Sequence, residues 1–470
     1  MLFHTVQFFW FMLAVVTLVL ILPRAATMPL LLAASYVFYG WSGLFFLLLL
    51  ICSSTTDYAL ARIFAARRGR WKAGIVVSAI VNFSLLGFFK YANFALSNAN
   101  EVLSAWGMNP KLPMLEIVLP VGISFYTFQS FAYTVDVLTG RIPPCRSYPR
   151  FLLFVSWFPQ LVAGPINRAG ALLPEIEKIP QRLDRMAQRV PAAAALFAEG
   201  WIRKACADLA SPVSDAFFRD PSSATSATAI FGIVAFAVQI YGDFSGYTKM
   251  AQGASWLFGV RVVENFNLPY AASSVRDFWR RWHISLSSWF RDYLYIPLGG
   301  NRKGPARTYF NLAFTMLVCG FWHGANWTFL AWGAAHGTLL ILERLFESPG
   351  RRVPRPLAHI LTLAFVFLAW GLFRAPDLHT AGQAYAALLH GGWSLPPLQL
   401  VAATLALIAA DAYFRFHSRR EYAELSADQP VTSTRFEWRS AGLVAVCALL
   451  WTTAHFLGQN KVTAFIYFQF

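Results

Sequence analysis

The segment "CGFWHGANWTFLAWGAAHG" runs from Cys319 to Gly337, and between Arg307 and Glu343 the chain has no Asp, Glu, Lys or Arg. Inside this uncharged stretch stand His323 and, thirteen residues on, His336. An imidazole changes charge near neutral pH, so the chemistry first suggested is general acid–base catalysis. Ionisable groups within long apolar runs are costly, and they face a bundle interior or a water-filled cavity. A hydrogen-bonded packing histidine is the other reading, and the residues alone leave both open. Asn326 and Trp327 lie three and four residues after His323. On an unbroken helix they would share its face and present imidazole, amide and indole together. His336 on the same unbroken helix would lie about 20 Å from His323 and on another face. The run has no His-x₃-His pair and no carboxylate, which speaks against a metal site. The chain has no Gly-x-Ser-x-Gly elbow, which speaks against a serine hydrolase.

A third histidine of interest, His283, lies in the preceding segment, "ENFNLPYAASSVRDFWRRWHISLSSWFRDYLYIPLGGNRKGPAR" (Glu264–Arg307). This stretch is too polar to cross lipid unprotected and too aromatic for a plain loop. Ser274 followed by Asp277 fits a capping box that starts a helix. From there Phe278, Trp282, Ser285 and Trp289 form one stripe. Trp279, His283, Leu286 and Phe290 form the next. The spacing predicts an amphipathic helix that lies in a membrane interface or plugs a cavity. Between Arg276 and Arg307 seven Lys or Arg residues stand against two Asp, a local charge of +5 that includes Arg280 and Arg281. Such a charge suits lipid headgroups or a mouth that attracts a polyanion. "LGGNRKG" (Leu298–Gly304) lacks the spacing and Lys-Ser/Thr ending of a P-loop.

The elements that must position these residues are membrane segments. The 470-residue chain is 57% hydrophobic and 13% charged, against about 25% charged in an ordinary soluble domain. Apolar runs near the length needed to span a bilayer recur throughout. The reading is an all-α polytopic membrane protein, with embedded segments near 5–22, 28–40, 42–61, 73–95, 115–133, 150–165, 190–212, 229–257, 310–332, 333–346, 357–374, 398–416 and 439–457. Gly40, Trp41 and Gly43 are candidates to split one run. Gly320, Gly324, Gly333 and Gly337 are candidates to break Thr308–Leu342, which would be about 52 Å long as one helix. The first apolar stretch has no basic n-region and reads as a membrane helix rather than a cleaved signal. The net charge of +16 is spread over short loops such as Ala61–Lys72, which marks cytoplasmic loops and not a nucleic-acid reader. The five scattered cysteines (Cys52, Cys145, Cys206, Cys319, Cys447) read as small buried hydrophobes without disulfide or metal spacing. Asp243, in "GDFSGY", must have partners in an apolar span, either to brace the core or to shape a tunnel. Gln129, Asp136 and Gln160 have the same two readings. We read one domain over 1–470, with its catalytic half near 229–346.

Several motifs in order along the chain resemble the membrane-bound O-acyltransferases, and within them the alginate O-acetyltransferase-like branch. They are "LPVGISFYTFQSFAYTVDVLTG" (Leu119–Gly140), "SWFPQLVAGPINR" (Ser156–Arg168), "IYGDFSGYTKMAQG" (Ile240–Gly253), "DFWRRWHISLSSWFRDYLYIPLGG" (Asp277–Gly300), "GFWHGANWTF" (Gly320–Phe329) and the terminal "FIYFQF". The D-alanyl transferases of Gram-positive walls are a more distant likeness. The resemblance implies a ring of about eleven tilted transmembrane helices around a thin centre, with re-entrant or interfacial helices. It implies that His323 is the essential catalytic histidine and that His283 matches a second, more variable polar position. Asn326, Trp322, Trp327, Trp282, Arg280, Arg281, Asp243 and His336 become candidates to bind substrate or line the tunnel. It further implies an acyl-CoA donor, acetyl-CoA first, with no bound cofactor and no metal. The acceptor would be a hydroxyl of an exported polysaccharide or a small carrier. A periplasmic acetyltransferase partner would complete the reaction at the bacterial inner membrane. D-alanyl transfer to a wall polymer, and a transporter or channel, are the alternatives.

Overall fold

The computed structural model describes residues 1, 3–67, 69–108, 112–346 and 353–418. The expected segment 439–457, Cys447, His455 and "FIYFQF" lie outside the described residues. Those described form helices and no strand. They pack as two compact units, one of Met1–Ala187 with Ser255–Val262, the other of Gln188–Ala254 with Val263 onward.

In the first unit the helices are α1 (Val6–Ile21), α2 (Thr27–Gly40), α3 (Leu44–Ala65), α4 (Trp71–Ala105), α5 (Ile123–Leu138), α6 (Tyr148–Ser156), α7 (Phe158–Leu161), α8 (Ala169–Glu177) and α9 (Ile179–Arg182). The run near residue 41 is split as its glycines suggest, with Gly43 at φ 139°. The expected segment 150–165 is not one helix. It breaks at Trp157, before Pro159, into α6 and α7. On α3 the buried Asp57 receives hydrogen bonds from Ser78, Asn82, Ser130 and Thr134, so neutral donors tie α3 to α4 and α5. Gln129 and Gln160 both donate to the Phe154 carbonyl, at 2.9 and 3.2 Å, and Asp136 pairs with Arg141 at 2.9 Å. All of them brace the first unit. Cys145, Cys206 and Cys319 are buried free thiols, but Cys52 is exposed, because it falls on the outward face of α3.

The remaining helices are α10 (Met186–Arg219), α11 (Ser226–Leu257), α12 (Val275–Arg281), α13 (Ile284–Phe290), α14 (Pro305–His323), α15 (Trp327–Leu345), α16 (Arg355–Arg374), α17 (Leu378–Ala387) and α18 (Leu398–Tyr413). Among the described residues five helices are long and apolar enough to cross a membrane: α3, α4, α11, α16 and α18 with its following turn. In the second unit α10 and α11 touch through glycines. A Cβ on Gly200 would stand 2.5 Å from the Gly246 carbonyl oxygen. Small residues allow this backbone approach in membrane bundles. Across that contact Lys204 lies 3.1 Å from Asp243, so Asp243 is a bracing residue here.

Candidate active site

The long uncharged run is a helical hairpin. α14 ends at His323, Gly324 is extended, and Asn326 starts α15 as its N-cap, accepting the Thr328 N–H at 3.0 Å. Of the four candidate glycine breaks only Gly324 serves as one. Gly320, Gly333 and Gly337 lie inside helices, where they permit close packing: a Cβ on Gly320 would meet the Phe329 carbonyl oxygen at 2.2 Å. The break also removes the expected shared face. Asn326 and Trp327 do not follow His323 on one helix. Asn326 donates to the Pro376 carbonyl at 2.6 Å, which ties the hairpin tip to the end of α16. Trp327 is 52% exposed.

His323 is buried against three aromatic rings. Its ring centre lies 4.9 Å from Trp322, 5.3 Å from Trp332 and 5.1 Å from Phe373. The reversal of the chain brings His323 to Trp332, and His336, one turn further along α15, lies 4.7 Å from the same indole. The 20 Å separation expected for an unbroken helix therefore does not occur.

The Trp-rich segment departs from one continuous helix. Ser274 caps α12 as its sequence predicts, accepting the Asp277 N–H at 3.0 Å. After seven residues the chain turns at His283, whose φ is +43°, and α13 begins. The stripes read across this point are therefore broken. Glu343, near the end of α15, accepts the N–H groups of Val275 and Arg276 at 2.5 and 3.1 Å. It supplies the first turn of α12 with acceptors that the turn lacks within itself.

The buried Asn265 holds His283 in place. Its Oδ1 accepts the Ser285 N–H at 3.1 Å and the Ser285 hydroxyl at 2.9 Å, and faces His283 Nδ1 at 3.2 Å. An oxygen that already accepts a backbone N–H requires a donor at Nδ1. Nδ1 therefore carries the proton, and Nε2 is the acceptor nitrogen. His283 lies outside any helix long enough to span a membrane, and burial pushes its pKa down to about 3. It stays neutral throughout the physiological range. Trp322 stands 6.2 Å from His283 and 4.9 Å from His323, so one indole makes an edge contact with each of the two imidazoles.

The other sequence candidates divide by place. Trp282 is 1% exposed and stacks on Phe278 at 5.6 Å and against Trp370 at 4.9 Å, inside the aromatic core. Arg281 bonds Asp277 at 2.9 Å and the Asn267 carbonyl at 3.2 Å, which fastens α12 to the strand of chain that carries Asn265. Arg280, Arg302, Lys303 and Arg307 are exposed. Among the described residues no group of His, Cys, Asp or Glu is arranged to hold a metal. Asn265 and Glu343 were missed by sequence reasoning. Neither has a local signal: Asn265 stands between Glu264 and Phe266 in a polar stretch, and Glu343 ends an uncharged run.

The family model of the membrane-bound O-acyltransferases matches residues 143–375, which contain every residue of this site. The chain is 42% identical over 386 residues, 81% of its length and 76% of the relative's, to an Azotobacter vinelandii protein named "Probable alginate O-acetylase AlgI". This chain belongs to the membrane-bound O-acyltransferase family. A Pseudomonas putida protein of the same name is 37% identical over 94% of both chains. A Helicobacter pylori peptidoglycan O-acetyltransferase is 37% identical over 74% of this chain and 71% of its own. Membership and the long apolar helices together make it an integral membrane O-acyltransferase.

Proposed function

We propose that the protein moves an acetyl group from a thioester donor on the cytoplasmic side to a hydroxyl of an exported polysaccharide. We place it in the bacterial inner membrane, working with a periplasmic partner protein. The observation that supports the chemistry is that Trp322 contacts both His323 and a His283 whose tautomer Asn265 fixes. The names of the relatives, an alginate O-acetylase and a peptidoglycan O-acetyltransferase, support acetyl as the group and a saccharide polymer as the acceptor. The exposed Arg280, Arg302, Lys303 and Arg307 suit a polyanionic donor such as acetyl-CoA.

In this reading His323 takes the proton of the acceptor hydroxyl as its oxygen attacks the thioester carbonyl carbon. A C–O bond forms, the C–S bond breaks, and the imidazolium returns the proton to the departing thiolate. Neutral His283 offers Nε2 as an acceptor. It can hold the hydroxyl or orient His323, but it cannot donate from that nitrogen to an oxyanion. Asn326 has both ends of its amide engaged in holding the hairpin, so it serves as a brace.

The test is His323→Ala with polysaccharide-linked acetyl measured in cells. Loss of a positioned general base costs about 10²–10⁴-fold. Full acetylation by a variant that still reaches the membrane would overturn the assignment.

A further inference from the structure

His336 takes no part in the transfer step above, yet its ring is fixed. Trp279 Nε1 can only donate, and it lies 3.3 Å from His336 Nδ1. Nδ1 is therefore the acceptor nitrogen, and the neutral ring carries its proton on Nε2. That N–H is fully buried and meets no acceptor among the described residues. The same holds for the Nε1–H of Trp332, also 0% exposed. The two rings touch, at 4.7 Å between centres, and Trp332 touches His323 on its other side. Around the pair stand Phe278, Phe365, Trp370 and Phe373, none of which offers a lone pair to an N–H.

Buried donors without acceptors are destabilising, and native interiors hold few of them. Two adjoining ones next to a reaction centre mark a place where an oxygen docks during turnover. The surroundings select its type. An anion would be desolvated among uncharged rings at high cost. A hydroxyl brings a proton of its own, for which Phe278, Phe365, Trp370 and Phe373 offer no acceptor, and the one imidazole beside Trp332, His323, is already engaged by the attacking hydroxyl in the reaction proposed above. A carbonyl oxygen has two lone pairs and no proton, which matches two N–H donors.

We propose that His336 Nε2–H and Trp332 Nε1–H bind the acyl carbonyl oxygen of the thioester donor beside His323. The inference rests on the acyl transfer proposed above and gives these two residues its oxyanion-binding role. Charge that develops on this oxygen during attack strengthens both hydrogen bonds.

The test uses two non-transferable coenzyme A thioethers and the purified full chain in detergent. S-acetonyl-CoA keeps a carbonyl, and S-propyl-CoA is its near-isosteric counterpart without one. The wild type is expected to bind the ketone about tenfold more tightly, and Trp332→Phe and His336→Phe each to cut that ratio to about threefold or less. His336→Gln, which can accept from Trp279 and still donate, retains most of the preference. Unchanged affinity for S-propyl-CoA reports that each variant is folded. A wild-type ratio of one, or a tenfold ratio that survives both Phe variants, overturns this inference and leaves the transfer reaction standing. If the wild type binds neither analogue nor acetyl-CoA, the thioester donor itself is refuted, and this inference with it.

Discussion

Two regions of the second unit bury titratable groups in opposite ways. Among α10, α11 and α18 the buried cations Arg203, Lys204 and Lys249 each have a carboxylate close by. Arg203 lies 3.1 Å from Glu199 and 2.8 Å from Asp411, Lys204 lies 2.6 Å from Asp208 and 3.1 Å from Asp243, and Lys249 lies 3.0 Å from Glu264. Around the α14–α15 hairpin the three imidazoles sit instead against indole and phenyl rings. A permanent charge inside a membrane protein must be neutralised by a partner. A group that exchanges a proton during turnover works from a neutral state, so rings and one-sided hydrogen bonds suit it better. The first region holds the helices together. In the proposed mechanism the second keeps its nitrogens ready for proton transfer.

The sharpest way to break that contrast is Arg203→Met. It removes the cation between buried Glu199 and part-buried Asp411 and should cost about 3–5 kcal/mol, seen as poor accumulation and a strongly lowered Tm in detergent. A melting curve that overlays the wild type would show that the pairing is ornamental. Asn265→Ala should cost less in stability and more in turnover. It frees the His283 tautomer and strips the Ser285 N–H of its acceptor, a loss of about 1–3 kcal/mol of stability, and the transfer rate should fall about tenfold or more. Asn265→Asp, which can still accept, should recover much of that rate. If Ala and Asp behave alike, tautomer control is not what Asn265 provides.

Acid sensitivity sharpens the same point. His283 has a folded pKa near 3, below the unfolded value of about 6.5. As pH falls below about 6.5 the unfolded chain binds a proton that the folded one refuses, so stability drops between there and pH 3. His283→Gln should flatten that part of the Tm–pH curve relative to wild type. Parallel curves would place the acid-labile group elsewhere. The smallest effect is expected at Glu343→Ala, which removes the acceptors for the start of α12. A lost cap costs about 1 kcal/mol, and faster hydrogen exchange at the Val275 and Arg276 amides would register it.

Much of this was legible in the sequence because it is local. The helical class followed from apolar runs, the start of α12 from Ser274 and Asp277, and a break within Thr308–Leu342 from a length that no single upright helix could use. Asp243 was legible as a residue in need of partners, and Lys204 is one. What stayed hidden depends on residues far apart in the chain. Asn265 reaches His283 across 18 positions, and Glu343 reaches Val275 across 68. Neither contact leaves a periodic trace. The turn at His283 was hidden for another reason: the residues on both sides continue a helical spacing, and only the backbone reveals the reversal. Asp57 went unnoticed because its partners are neutral, so no opposite charge announced them.

The left-handed backbone of His283 has one more consequence. At φ +43° a side chain crowds its own main chain, and glycine would rest there more easily. The chain nonetheless carries a histidine at that point, one of two non-glycine residues with positive φ among those described. Under the proposed mechanism local comfort is exchanged for a nitrogen, and a variant that relaxed the kink is expected to gain an easier fold and lose transfer rate.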